Sequence, residues 1–291
     1  MSESCSIESE RVGEQLAGTA PYAVAWVALE QNGPWGAKAF TASHLDPALG
    51  REIESRAAAY DVRPSLIRRP GRHADEHEEG ARRLLVAYTV PGRTWLAEGC
   101  IDSPEQVVDL DWEAVAAGEP PAFLERTDRP HLLVCTNGTR DVCCATRGRP
   151  VAAAAHASHP DQVWEVTHTS GHRFAPTAVL LPFGTVHGRL AEGASLLGAA
   201  AQGNTILAGS RGRSTWPAEG QVAELAVREL TGELDLDALS VDGTTVTHSD
   251  GRRWDVVTEL VDAGVERAES CGKALVPMTR VATAVRPVPD R

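Results

Sequence analysis

The sequence predicts an α/β protein of the α+β type, in which short apolar strands alternate with helices. Residues 22–30 (YAVAWVALE) are typical of a buried strand, and residues 47–60 have helical spacing with Pro47 near the start. The next predicted elements are strands at 62–69, 82–90 and 95–100 and a short helix at 104–117. Such alternation of strands and helices is the pattern of an α/β or α+β unit.

The middle of the chain has an element order that indicates one particular unit. A connection rich in proline and charge, at 118–130, leads into it. The predicted order is a strand at 131–135, a helix at 141–156, a strand at 162–168, a loop, strands at 178–183 and 185–190, and a helix at 191–202. Gly148 and Pro150 are placed where they would break the first helix in two. The order β-α-β-loop-β-β-α is that of a thioredoxin-like unit.

The last part of the chain predicts a helix followed by strands. Residues 217–231 form an amphipathic pattern with proline at its start, and residues 240–260 predict paired strands that turn at Asp-Gly pairs. The tail at 286–291 is expected to be disordered. We therefore predict three parts, which are an N-terminal α/β domain at 1–125, a thioredoxin-like domain at 126–204 and a C-terminal extension at 205–291.

Charge and hydropathy limit the classes of partner. The net charge is −12, from 28 basic and 40 acidic residues, and this argues against nucleic acid, which is bound by clustered Lys and Arg. No apolar run reaches the roughly 20 residues that span a bilayer, so no membrane association is expected. The first fifteen residues are acidic and lack a hydrophobic stretch, so they do not resemble a secretory signal. A cytoplasmic location follows as an expectation.

Cysteine and histidine are concentrated in one segment of the chain. Residues 131–190 contain six of the ten histidines and three of the six cysteines. In a reducing compartment, clustered cysteines indicate a metal site or catalysis more than a disulfide framework. The cysteines outside this segment, Cys5, Cys100 and Cys271, have no visible partners and are expected to be incidental.

Two pairs within this segment point to a metal centre. Cys135 ends a predicted strand and Cys144 begins the following helix, while His168 and His172 lie in a glycine-containing loop after the next strand. In a thioredoxin-like sheet these strand ends share one edge, so the pairs can converge. Two thiolates and two imidazoles make a full ligand set for one metal ion, or for a [2Fe–2S] cluster in which His replaces two Cys on one iron.

The segments CTNGTRDVCC and HTSGHRFAPTAVLLP resemble the sucrase/ferredoxin-like family, and the resemblance extends over most of residues 16–200. In the thioredoxin-like ferredoxins a C-x8–12-C pair and a later C-x3-C pair bind [2Fe–2S], and similar family members carry H-x3-H as the second pair. The resemblance implies a [2Fe–2S] cluster on Cys135, Cys144, His168 and His172. Its spacing selects Cys144 over Cys143, which should be a buried neighbour because adjacent helical residues point about 100° apart.

The function that the resemblance implies is electron transfer with a protein redox partner, a reductase or an acceptor. Imidazole ligands lower the negative charge of a cluster, raise its potential and allow reduction to be coupled to proton uptake. Four arginines flank the ligands and are candidates to offset cluster charge or to dock an acidic partner: Arg140, Arg147, Arg149 and Arg173.

Other readings of the sequence remain open. One is a zinc protein that uses the same Cys2His2 set, although zinc sites usually bring closer cysteine pairs. Another is a redox-sensing or binding module without electron-transfer turnover. A thiol oxidoreductase would need C-x-x-C at the strand-to-helix turn, which the sequence lacks. It also lacks a P-loop, a G-x-S-x-G elbow and paired carboxylates placed for glycoside hydrolysis, so an electron carrier is favoured over a hydrolase.

Overall fold

A computed structural model describes residues 4–71, 80–264, 268, 271 and 278–289, and it confirms the predicted α+β class. Within those residues the helices are α1 (Cys5–Arg11), α2 (Ala39–Ala42), α3 (Pro47–Ala58), α4 (Trp112–Ala117), α5 (Val142–Ser158), α6 (Gly193–Ala200) and α7 (Ala218–Thr231). Short 3-10 helices lie at Pro104–Val107 and His172–Phe174. Of the described helices, none is long and apolar enough to cross a membrane.

The strands of the described residues form two sheets. The ten strands of the large sheet are β1 (Ala25–Glu30), β2 (Val62–Arg68), β3 (Arg82–Tyr88), β4 (Trp95–Ile101), β5 (Glu125–Thr127), β6 (His131–Cys135), β7 (Val163–Val166), β8 (Ala178–Leu181), β9 (Thr185–His187) and β10 (Ser210–Arg213). The four strands of the small sheet are β11 (Leu239–Asp242), β12 (Thr245–His248), β13 (Arg253–Asp262) and β14 (Met278–Val288).

The large sheet runs through both of the first two predicted domains. Its order is β10-β9-β8-β6-β7-β2-β1-β3-β4-β5, with β1 parallel to β2 and β6 parallel to β7 and the other neighbours antiparallel. The two halves meet where β2 pairs with β7, through Ile67 opposite Val166 and Arg68 opposite Glu165. Strand β10, which lies beyond residue 204, adds to the far edge of the same sheet.

Strands of the large sheet are buried on both faces. In β1 the side chains of Val27 and Leu29 belong to the core on one face, and those of Trp26 and Ala28 to the core on the other. Successive residues of a strand point to opposite faces, so a strand covered on both sides has to be apolar throughout. This is why YAVAWVALE shows no polar alternation.

The β-α-β-loop-β-β-α order predicted for the middle unit is the order that the structure has, in β6, α5, β7, β8, β9 and α6. The predicted break within its first helix is wrong, because α5 is continuous from Val142 to Ser158. Gly148 instead allows α5 to pack closely against the end of β6, because a Cβ at this position would lie only 2.2 Å from the Cys135 carbonyl oxygen. Pro150 lies on the exposed face of α5. Because proline has no backbone N–H, the carbonyl one turn earlier loses its helical hydrogen bond, and water can bond it instead.

The last part of the chain packs α7 against the small antiparallel sheet. The predicted turns at Asp-Gly pairs are confirmed, with Gly243 and Gly251 both at positive φ between paired strands. The predicted disorder of the tail is wrong for residues 286–288, because β14 pairs with β13 up to Val288. Pro287 is tolerated there because β14 is an edge strand, which can lack one backbone donor.

Candidate metal centre

The two predicted pairs lie at one edge of the large sheet. Cys135 is the last residue of β6, Cys144 lies in the first turn of α5, His168 follows β7 and His172 begins a 3-10 helix. The Cys144 Sγ atom is 3.3 Å from His172 Nδ1, and the rings of His168 and His172 stack with centroids 4.4 Å apart. The structure therefore brings the predicted thiols and imidazoles together.

Local backbone geometry explains how these side chains converge. The Asp141 carboxylate caps α5 by accepting a hydrogen bond from the Cys143 backbone N–H at 2.9 Å, which fixes the helix start beside the end of β6. Ser170 and Gly171 both adopt positive φ, at 58° and 68°, and this turn brings His172 back over His168. The sequence HTSGH thus has the small residues that a tight reversal requires.

Two of these groups, Cys135 and His172, are held in the forms that bind metals. A hydrogen bond from Cys144, together with hydrogen bonding and charge from His168, lowers the pKa of Cys135 in spite of its burial. The same thiol pair raises the pKa of Cys144, so one proton is retained between the two sulfurs. Burial lowers the pKa of His172 to about 4, which keeps this imidazole neutral at neutral pH. Thiolate and neutral imidazole are the forms that bind metals.

Two arginines hold the histidine loop through its carbonyl oxygens, with Arg211 buried and Arg63 partly exposed. Arg63 of β2 donates from Nη2 to the His168 oxygen at 2.9 Å, and Arg211 of β10 donates from Nη1 to the Ser170 oxygen at 3.0 Å. Burial lowers the pKa of Arg63 to about 10 and that of Arg211 to about 9, so both remain cations at neutral pH. They would offset the negative charge of a thiolate-bound cluster.

Sequence reasoning missed Arg63 and Arg211 because both lie outside the segment rich in Cys and His. Two of the arginines that the sequence suggested, Arg147 and Arg173, have other roles in the structure, whereas Arg140 lies beside His168. Arg147 pairs with Glu10 at 2.7 Å and Arg173 pairs with Glu14 at 2.8 Å, so both bind the N-terminal segment. Their strands gave no local signal either, because β2 (VRPSLIR) and β10 (SRGR) are not apolar throughout.

A cleft of about 700 Å³ opens beside the histidine loop. Its walls include Tyr22, Lys38, Arg63, Asn137, Arg140 and His168. His168 is partly exposed, whereas Cys135, Cys144 and His172 are buried. His168 is therefore the member of the predicted ligand set that reaches this cleft.

A second group of ligand-type side chains lies at the start of α5. Cys5, Asp141, Cys143 and Cys271 place their ligand atoms within 4.8 Å of one another, so this group could hold a metal ion. Cys5 and Cys271, which were expected to be incidental, lie beside Cys143 in this group, whereas Cys100 is exposed on β4 and lies outside it. No sequence pattern could reveal this group, because its members come from both ends and the middle of the chain.

Comparison with known proteins gives one match. A family model described as Sucrase/ferredoxin-like matches residues 16–216. Neither the curated proteins nor the solved structures contain a match to the chain. The matched range includes the four predicted ligands, Arg63 and Arg211, and it leaves out Cys5 and Cys271.

Proposed function

We propose that this chain, which belongs to the sucrase/ferredoxin-like family, holds a [2Fe–2S] cluster and transfers electrons. The proposed ligands are Cys135, Cys144, His168 and His172. The observation that carries the proposal is the convergence of two thiols and two imidazoles at one sheet edge. Within this group the Cys144 Sγ atom lies 3.3 Å from His172 Nδ1. A mixed Cys and His ligand set is an established mode of binding for [2Fe–2S] clusters.

The surrounding residues favour acceptance of an electron at this site. When bound, such a cluster accepts and donates one electron at a time. Neutral imidazoles in place of two thiolates lower the negative charge and raise the reduction potential. The guanidinium groups of Arg63 and Arg211, which bond the carbonyls of the histidine loop, add positive charge nearby and stabilise the reduced state further.

The cleft beside His168 is the proposed route for electrons. The thiols of Cys135 and Cys144 are each 1% exposed, so a partner cannot approach the sulfur side. His168 borders the cleft together with Lys38 and Arg140. The cleft is lined by the basic Lys38, Arg63 and Arg140 and by the acidic Glu54 and Asp61. A protein redox partner whose charges complement these walls would bring its own centre closest to the imidazole ligands.

The experiment that tests this function is anaerobic purification of the full chain without an affinity tag that binds metals. We expect a red-brown protein with about two irons and two acid-labile sulfides per chain, and a one-electron reduced state visible by electron paramagnetic resonance. A colourless protein that takes up no cluster on reconstitution, and holds about one zinc bound by two sulfurs and two nitrogens, would identify a Cys2His2 zinc protein instead.

A further inference from the structure

Three thiols and one carboxylate meet at the N-terminal end of α5, apart from the four residues of the proposed cluster. The Sγ–Sγ distances are 3.6 Å for Cys5 and Cys143, 3.5 Å for Cys143 and Cys271, and 3.4 Å for Cys271 and Cys5. The Asp141 Oδ2 atom lies 3.7 Å from Cys5 Sγ and accepts a hydrogen bond from the Cys271 backbone N–H at 3.1 Å. The three sulfurs thus form a nearly equilateral triangle with a carboxylate oxygen beside it.

This spacing fits a tetrahedral metal ion. With Zn–S bonds of about 2.3 Å, two sulfurs on the edge of a tetrahedron are about 3.8 Å apart, and a sulfur and a carboxylate oxygen are about 3.5 Å apart. The observed separations lie within a few tenths of an ångström of those values. They are far longer than the roughly 2.05 Å of a disulfide bond, and one disulfide would use only two of the three sulfurs.

The group is largely shielded from water and lies at the start of a helix. Cys5 and Cys143 are 3% and 1% exposed, so their sulfurs are shielded from water. Cys143 lies in the first turn of the seventeen-residue helix α5, where the helix dipole stabilises negative charge.

We propose that Cys5, Asp141, Cys143 and Cys271 bind one structural Zn²⁺ ion. A set of three thiolates and one carboxylate is soft and four-coordinate, which favours zinc over magnesium or calcium. All four positions are taken by the protein, and a closed zinc site of this kind stabilises a fold and leaves no position for substrate. The proposal does not depend on the identity of the proposed cluster.

The ion would join three remote parts of the chain. It would link α1 and Cys271 to the first turn of α5. The residue after Cys143 is the proposed cluster ligand Cys144. Loss of the ion should therefore loosen the attachment of α1, which also contacts α5 through the Glu10–Arg147 ion pair. The chain would then hold two metal centres on different faces of the first turn of α5.

The test measures zinc and iron separately in the full-length protein, purified without a metal-binding tag from zinc-supplemented cells. We expect about one zinc per chain in the wild type, with an X-ray absorption spectrum at the zinc edge that fits three sulfurs and one oxygen. Cys5→Ser and Cys271→Ser should each lower zinc content at least tenfold and keep the iron content and visible spectrum. Cys100→Ser, a change at an exposed cysteine outside both groups, should keep both metals.

Three outcomes would overturn the proposal. The first is a wild type with less than a tenth of one zinc per chain and with freely titrating thiols, and the second is a disulfide among Cys5, Cys143 and Cys271 by mass spectrometry. The third is a protein whose zinc is lost in Cys144→Ser but kept in Cys271→Ser, and whose X-ray absorption spectrum at the zinc edge shows imidazole ligands. That last result would place zinc on the Cys2His2 set, so failure of this proposal and failure of the proposed cluster give different readouts.

Asp141→Asn, which retains a helix-capping oxygen, should weaken zinc retention without complete loss.

Discussion

Cys143 and Cys144 are adjacent in the chain and face two different groups of side chains. The sulfur of Cys143 lies 3.5 Å from that of Cys271, whereas the sulfur of Cys144 lies 3.3 Å from His172 Nδ1. Successive residues of a helix point about 100° apart, so neighbours in one turn cannot easily serve the same ion. The single step from residue 143 to residue 144 therefore decides which centre each thiol can join.

We expect Cys144→Ser and Cys143→Ser to separate the two centres. Cys144→Ser removes a proposed cluster ligand and should lower iron content and visible absorbance at least tenfold. Cys143→Ser should keep the iron spectrum and lose zinc, because its sulfur faces Cys5 and Cys271. Iron and zinc analysis with visible spectroscopy makes the measurement. The opposite result for iron would show that Cys143 is the cluster ligand.

Replacement of His168 by Cys should lower the reduction potential of the proposed cluster. A thiolate adds one negative charge where the imidazole was neutral, and that charge opposes reduction. We expect a fall of more than about 59 mV, which corresponds to a tenfold change in the equilibrium of a one-electron couple. Voltammetry of the variant and of the wild type makes the comparison, with His159→Gln, a change at a partly exposed histidine outside the site, as the control. An unchanged potential in His168→Cys would argue against ligation by His168.

At the scale of elements, the histidine loop is held between two strands that are distant in sequence. Arg63 reaches it from β2 and Arg211 reaches it from β10, at opposite sides of the large sheet's middle unit. Arg211 also donates from Nε to Thr19 Oγ1 at 3.0 Å, so the segment before β1 takes part in the same contact. A Cβ at Gly171 would lie 2.4 Å from the Arg211 guanidinium, which explains glycine there.

Loss of the Arg211 charge should lower the potential of the proposed cluster. Arg211→Met removes a buried cation and the donor to the Ser170 carbonyl, whereas Arg211→Lys keeps the charge and loses the forked donor geometry. We expect a fall of tens of millivolts in the first variant and a smaller one in the second, on the scale of about 59 mV per tenfold change. Voltammetry, with iron content measured alongside, is the test. Equal potentials in the two variants would show that the guanidinium acts through packing and not through charge.

Local patterns predicted the elements well, and they could not predict how distant elements meet. The order of elements around Cys135 and His168 follows from apolar runs broken by glycine and proline, and this order places the four predicted ligands at one edge. The pairing of β2 with β7 involves two residue pairs and has no local signal. The group of Cys5, Asp141, Cys143 and Cys271 was missed for the same reason, because only tertiary packing brings its members together.

At the scale of the whole molecule, a buried ion network joins the large sheet to the last part of the chain. Glu224 of α7 accepts a hydrogen bond from Arg228 Nε at 3.0 Å and lies 3.6 Å from Arg213 Nε of β10. Arg213 also donates to the Phe183 carbonyl at 3.0 Å, and Arg228 donates to the Asp235 carbonyl at 2.8 Å. One carboxylate thus balances two guanidinium groups, all of them at most 3% exposed.

Glu224→Gln should destabilise the whole protein, because it leaves Arg213 and Arg228 buried without a carboxylate. The cost of breaking a buried pair in this way is about 3–5 kcal/mol. Glu229→Gln, an exposed change on the same helix, should stay within about 0.5 kcal/mol of the wild type. Urea unfolding at neutral pH measures both variants, and a Glu224→Gln midpoint equal to that of Glu229→Gln would contradict the prediction.

The same network predicts how the effect of Glu224→Gln depends on pH. Burial alone would raise the pKa of Glu224, but the charges of Arg213 and Arg228 outweigh it and hold the pKa below its ordinary value of 4.5. A carboxyl whose pKa is lower in the folded state contributes stability that is fully present above the unfolded pKa and is lost as pH falls through the folded pKa. The difference in unfolding free energy between wild type and Glu224→Gln should therefore be constant from neutral pH down to about pH 5 and shrink below it. Unfolding curves of the two proteins, measured in steps from neutral to acid pH, follow this difference directly. A difference that grows as the pH falls would mean that Glu224 is protonated in the folded protein and that its two arginines are balanced in another way.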